Sequence, residues 1–195
     1  WPSLNIPAVT VAVGTLYDVT AKKNVGSIVT SDPKTSTGLG QQTITLPAFT
    51  YDASGLAGHT LSAKVEIKVG NVVIGTHNDD YSDVKETIYD PTIATDLVSG
   101  NTNTQLGSKS KTETAIETVT YTNVPKDTTI TLIGELWNTK TNEIITLADG
   151  KTQATATSKS EGLGENTADI TFTYDSTGLD DTVIDLELTS NRSDL

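Results

Sequence analysis

Residues 77–96 read HNDDYSDVKETIYDPTIATD. The stretch begins as an acidic turn and continues as a short alternating strand, with Val84, Glu86 and Ile88 on one face. Pro91 then interrupts the ladder, because a proline ring has no N–H to donate and is rare inside a strand. A second alternating run starts at Thr92 and puts Ile93, Thr95 and Leu97 on a shared face. The stretch therefore closes one β-unit and opens the next, and it divides the chain into 1–90 and 91–195.

The same period of two extends in both directions. Val9, Val11 and Val13 alternate with Thr10 and Ala12. Leu61, Ala63, Val65, Ile67 and Val69 alternate with Ser62, Lys64, Glu66 and Lys68, the pattern of a strand with one dry and one wet face. Gly70-Asn71 then turns the chain into Val72-Val73-Ile74, which predicts a hairpin. Ser31–Gln42, SDPKTSTGLGQQ, reads as a loop. Threonine is the commonest residue, 36 of 195, and its β-branch favours extended backbone. Helical periodicity is almost absent, so the fold class is all-β.

Composition removes several function classes. The net charge is −12 and the pI about 4.4, which argues against a nucleic-acid groove and against binding to anionic lipid. There is no Cys, so neither disulfides nor thiol chemistry hold or run this chain. There is no Met, which reads as a processed or excised chain. No apolar run approaches the roughly 18 residues of a membrane span, and no signal-peptide pattern is present. G-x-S-x-G, H-E-x-x-H and phosphate-loop motifs are missing, and two His give a hydrolytic triad little material. The expectation is a protein without cofactor or turnover activity.

The second half repeats the first at an offset of about 120 residues. Gly14-Thr15-Leu16-Tyr17 matches Gly134-Glu135-Leu136-Trp137, and Asn5-Ile6-Pro7 resembles Asn123-Val124-Pro125. Phe49-Thr50-Tyr51-Asp52-Ala53-Ser54-Gly55-Leu56 matches Phe172-Thr173-Tyr174-Asp175-Ser176-Thr177-Gly178-Leu179. Val65-Glu66-Ile67 matches Leu186-Glu187-Leu188. An offset of that length is one sandwich domain rather than a solenoid unit. The segment from Val72 to Tyr89 has no counterpart after Leu188, and that from Thr92 to Tyr121 has none before Trp1. The reading is tandem Ig-like β-sandwiches, 1–90 lacking its first strands and 91–195 lacking its last. Such a chain is a window on a longer array, or neighbouring copies supply the missing strands. An uncovered sandwich edge is an aggregation hazard, so something should cover both ends.

Three polar residues fall on apolar faces. Thr95 lies with Ile93 and Leu97, Glu117 with Ala115, Val119 and Tyr121, and Glu86 with Val84 and Ile88. Burial raises a carboxyl's pKa, and a neutral acid can donate a hydrogen bond, so a hydroxyl beside such an acid has the parts of an acyl-transfer cross-link. Local alternatives stand beside each residue. Thr95 can be an ordinary strand threonine, Glu117 a carboxylate bonded to backbone or to Tyr121, and His77 a turn residue bonded to Asp79. The acidic turn Asp79, Asp80 and Asp83 offers oxygens for Ca²⁺ but lacks the EF-hand spacing and glycine, so no metal is the preferred reading. His59 sits between turn residues and is expected to face solvent. Lys64 and Lys68 face outward, which ranks a Lys–Asn isopeptide bond below an ester.

Taken together, P-x-I-x-T at Pro91–Thr95, I-E-T-V-x-Y at Ile116–Tyr121, G-x-L at Gly134–Leu136, F-x-Y-D-x-[ST]-G-L at Phe172–Leu179 and the strands at Glu66 and Glu187 resemble the VaFE-type repeat domains of Gram-positive bacterial surface adhesins. In the first half the series ends at His77, Asp79, Asp83, Glu86 and Thr87. The resemblance implies Ig-like sandwiches, many with an internal Thr–Gln ester joining first and last strands. It assigns Thr95 as nucleophile and Glu117 as the assisting acid, and places His77 at the family's His and Glu86 at the Gln acceptor. A glutamine loses ammonia when the ester forms, whereas Glu86 would have to lose water, so the first half departs from the family at that position. The second half contains no His.

The function expected is a structural stalk or fibre module on the bacterial cell surface, extracellular, extending and bearing load. Its partners would be neighbouring repeats or copies of the same protein, with a host-surface ligand as a further partner, and no nucleic acid or membrane. A binding module for a host protein or glycan is one alternative, although Trp137, Tyr17, Tyr81 and Tyr89 are too scattered for a sugar platform. A pilin-like subunit polymerised by strand exchange is the other.

Overall fold

The computed structural model describes residues 8–38, 40–77, 83, 85–179 and 183–191. Every regular element in them is a β-strand, as the threonine content and the period of two require. The chain divides into two compact units, Trp1–Asp90 and Pro91–Leu195.

The first unit is an antiparallel sheet of β1 (Val9–Asp18), β2 (Lys23–Thr30), β3 (Lys34–Thr35), β4 (Thr60–Val69), β5 (Val72–His77) and β6 (Thr87–Tyr89). The order is β2-β1-β4-β5, with β3 on the start of β1 and β6 on the start of β4. Gly70-Asn71 forms the expected two-residue hairpin loop, and Gly70 takes the left-handed φ of 57° that such loops demand. Leu16, Leu56 and Leu61 make the core, covered by Val25, Phe49 and Tyr51. Gly14 is fixed by close approach, because a Cβ there would lie 2.8 Å from the Phe49 ring and from Leu46.

The second unit is a two-sheet sandwich. One sheet runs β12 (Asn166–Tyr174), β8 (Glu113–Thr122), β7 (Thr92–Ser99). The other centres on β9 (Thr129–Asn138), with β13 (Ile184–Asn191) along one edge and β10 (Glu143–Ile144) and β11 (Ala154–Lys159) along the opposite one. Val119, Ile170 and Phe172 from the first sheet meet Leu132 and Leu136 from the second in a single core. Gly134 is held as Gly14 is: a Cβ would lie 2.6 Å from the Phe172 ring.

The turn chemistry recurs as well. Asp18 Oδ1 accepts the Ala21 N–H at 2.8 Å, and Asn138 Oδ1 accepts those of Lys140 and Thr141 at 3.0 and 3.2 Å. Lys22 and Asn142 close the two turns with φ of 57° and 58°. Likewise the Asp52 and Asp175 carboxylates each accept a backbone N–H two residues on, from Ser54 and Thr177.

Three local expectations need correction. Ser31–Gln42 is not wholly loop, since Lys34 and Thr35 pair with Thr10 and Val9. The buried face of β6 carries Thr87 and Tyr89, while Ile88 is exposed. Glu86 and Ile88 do share a face, but it is the exposed one; just before the strand, the Glu86 N–H and the Thr87 hydroxyl both donate to the Asp83 carbonyl, at 3.0 and 2.8 Å. Val84 lies outside the described residues. Finally, His59 does not simply face solvent. Its ring is mostly covered and its Nδ1 lies 2.7 Å from Oδ2 of the fully buried Asp18.

Candidate cross-link site

The inward row of β8 is Glu113, Ala115, Glu117, Val119 and Tyr121, each buried. Glu117 stands directly opposite Leu97 of β7 on one side and Ile170 of β12 on the other. Thr95 pairs with Val119, which makes it the diagonal neighbour of Glu117, within side-chain reach on the shared face. Its hydroxyl is near enough to the Glu117 carboxyl to favour the charged form. Glu117 is only 2% exposed, and its Oε2 has no hydrogen-bond partner.

Burial pushes the Glu117 pKa above the ordinary carboxylate value. The charges of Asp96 and Asp185 push the same way, and the Thr95 hydroxyl opposes them without winning. A carboxyl held in this way takes a proton from a hydroxyl more readily than an ordinary one and hands it on as a neutral acid. Thr95 itself is exposed, because β7 is an edge strand whose only strand partner among the described residues is β8. Ile93, on the same face, is 50% exposed. Thr95 thus lies on a sheet edge that no second strand covers among the described residues, with Glu117 buried behind it.

The other two candidates also come together. His77 Nε2 forms an ion pair with the Glu86 carboxylate in the first unit, both side chains about half exposed. Both side chains stay in reach of water, unlike Glu117. Asp79 and Asp80 lie outside the described residues. Asp83 Oδ1 caps the Lys85 N–H at 2.9 Å, and no metal-ligand cluster occurs among the described residues.

Sequence reasoning missed Glu113, although the alternation that marks Glu117 marks it too. Glu113 is fully buried and accepts hydrogen bonds from the Ser99 and Ser108 hydroxyls and from Asn101 Nδ2 at 2.8 Å. Burial alone would raise its pKa, but these donors and the Ser108 N–H overrule it and hold the carboxyl below the ordinary value. Its charge, added to burial, sends the neighbouring Tyr174 hydroxyl up to about 12. The role of Asp185 was also not legible, since its effect on Glu117 needs β13 folded against the other sheet.

A family model for the T-Q ester bond containing domain matches residues 91–192, just over half the chain. This chain belongs to that family. No curated protein matches the sequence. Domains of the T-Q ester bond family are structural modules of bacterial surface adhesins, so residues 91–192 form an adhesin-type module. No helix among the described residues is long and apolar enough to cross a membrane.

Proposed function

We propose that the chain is a load-bearing stalk module of a bacterial adhesin, and that its second unit is stapled through Thr95. The observation that carries this reading is Thr95 on the open edge strand β7, diagonally across the ladder from the buried Glu117 of β8. In the reaction the Thr95 oxygen attacks the carboxamide carbon of a glutamine. Glu117 takes the hydroxyl proton and returns it to the departing nitrogen, so a C–O bond forms, a C–N bond breaks and one ammonia leaves.

The glutamine has to come from a closing strand laid along β7. Of the two in residues 91–195, Gln153 donates to Glu135 at 2.9 Å, and Gln105 is exposed in the loop between β7 and β8. Neither is on a strand beside Thr95. The repeated glycine–phenylalanine contacts and turn caps favour reading the two units as copies of one sandwich. On that reading the first unit is not stapled, because Glu86 stands at the acceptor position and is paired with His77 in reach of water.

Protease digestion of the protein recovered from the cell surface tests the assignment. The expected product is a Thr95 peptide joined to a glutamine peptide, with the summed mass less one ammonia, cleaved by alkaline hydroxylamine. Recovery of the Thr95 peptide only in unmodified form overturns the staple.

A further inference from the structure

In the first unit, β5 and β6 pair with the same edge of β4. His77 ends β5 opposite Val65, and Thr87 opens β6 opposite Ser62. An unbroken ladder would set residue 80 opposite Ser62. Thr87 stands there instead, so the chain between the two strands is seven residues longer than the ladder needs. The exit from the unit depends on β6. Just past it, the Gly58 N–H donates to the Asp90 carbonyl at 2.8 Å and the Asp90 N–H to the His59 carbonyl at 3.0 Å.

We infer that β6 is a breakaway strap: tension detaches it from β4 before the β1–β4 ladder yields, releases the spare chain behind it, and lets it dock again when tension falls. The inference rests on the stalk reading for its use, while its mechanics belong to the first unit alone. β1 runs toward Asp18 and β6 toward Asp90, in the same direction on opposite sides of β4. Tension between Val9 and Asp90 therefore pulls β1 and β6 lengthwise away from each other and shears both of their ladders with β4. β1 and β4 share nine paired residues, β6 and β4 three. A sheared ladder loads its rungs together, so the shorter one opens first. Its opening uncovers Thr87 and Tyr89 and leaves the core of Leu16, Leu56 and Leu61 in place, which makes it a local rather than a global unfolding. Load then passes to β5, which the Gly70-Asn71 hairpin joins covalently to β4. Detachment frees residues 78–90. Fully extended they reach about 45 Å, against the roughly 20 Å that this stretch covers along β4 in the folded unit, a gain of about 25 Å.

Single-molecule stretching of the whole chain between its termini tests the strap. An early, reversible step of about 25 Å should precede the loss of the first unit, which lengthens the chain by roughly 250 Å. Ser62→Cys with Thr87→Cys joins two directly opposite residues in a chain that has no other cysteine. Oxidation of that variant should abolish the step, and reductant should restore it. Seven glycine and serine residues inserted between Asp80 and Tyr81 should lengthen the step by about another 25 Å. A wild-type trace without the step overturns the strap. So does a step that survives the closed disulfide, or one whose length ignores the insertion. The outcome is independent of the staple, which the mass of the Thr95 peptide decides. The step together with an unmodified Thr95 peptide from the cell surface ends the staple alone, and a cross-linked peptide without the step ends the strap alone.

Discussion

Glu113 and Glu117 project from the same inward face of β8, and the fold drives their acidities in opposite directions. Both are buried. Glu113 is surrounded by donors from the loop between β7 and β8, while Glu117 lies between Leu97 and Ile170 with one hydroxyl for company. Two carboxyls separated in this way take different work: one holds a loop as an anion, the other is kept ready to gain and lose a proton.

Neutral isosteres should therefore act in opposite senses. Glu113→Gln replaces an acceptor of several hydrogen bonds and should destabilise the second unit by about 2 kcal/mol at neutral pH. Glu117→Gln keeps an acceptor for Thr95 and removes a poorly solvated charge, so its effect should be neutral to stabilising, on the order of 1 kcal/mol. Urea midpoints of the two variants decide this, and a loss of stability in both would contradict the contrast.

The pH dependence follows with its sign. Glu117 has a raised folded pKa, so its contribution is most favourable below the unfolded value of about 4.3 and is lost as pH rises through the folded value. Glutamine mimics the protonated acid. The stability gap between wild type and Glu117→Gln should thus be small in acid and widen toward neutral pH. Glu113 behaves conversely: its contribution is present above the unfolded value and disappears as pH falls through a lowered folded one. A gap for Glu117→Gln that closes on raising the pH would show that Glu117 is charged without penalty.

Much of this was legible because strand alternation is a strictly local signal. The inward facing of Glu117 and the outward facing of Lys64 and Lys68 need only a count by twos from neighbouring valines. Glu86 escaped that count because the face it shares with Ile88 is the exposed one, and which side of a three-residue strand meets the core is set by its pairing with β4. The Asp18–His59 contact joins residues far apart in the chain and becomes visible only when β1 and β4 are paired. The exposure of Thr95 depends likewise on which strand ends the sheet, a property of topology rather than of the residues around it.

The two glycines at strand centres should be intolerant of alanine. At Gly134 the added methyl would lie 2.6 Å from the Phe172 ring, and Phe172 is fully buried with nowhere to move. Gly134→Ala should destabilise the second unit by about 1–3 kcal/mol. At Gly14 the obstacles are the Phe49 and Leu46 side chains, both near the surface and freer to shift. Gly14→Ala should therefore cost less, and thermal melts of the two variants give the comparison.

Asp18 and His59 provide the corresponding test in the first unit. Burial alone would raise the Asp18 pKa, but the Ala21 N–H, the His59 ring and the Thr20 N–H together hold it below the ordinary value. Its contribution is therefore present above the unfolded value of about 3.9 and is lost as pH falls through the folded one. His59→Ala leaves a buried carboxylate with its backbone donors only, and should cost about 1–3 kcal/mol at neutral pH, the lower part of the range reflecting a ring that is partly exposed. Asp18→Asn should be milder. Its amide oxygen can still accept the Ala21 N–H, its amide nitrogen can donate to the imidazole, and Asn138 already caps the matching turn of the second unit in this way. Denaturation midpoints at neutral pH should thus rank wild type above Asp18→Asn and Asp18→Asn above His59→Ala. If asparagine proves the more damaging change, the charge of Asp18 contributes more than its role as a turn cap.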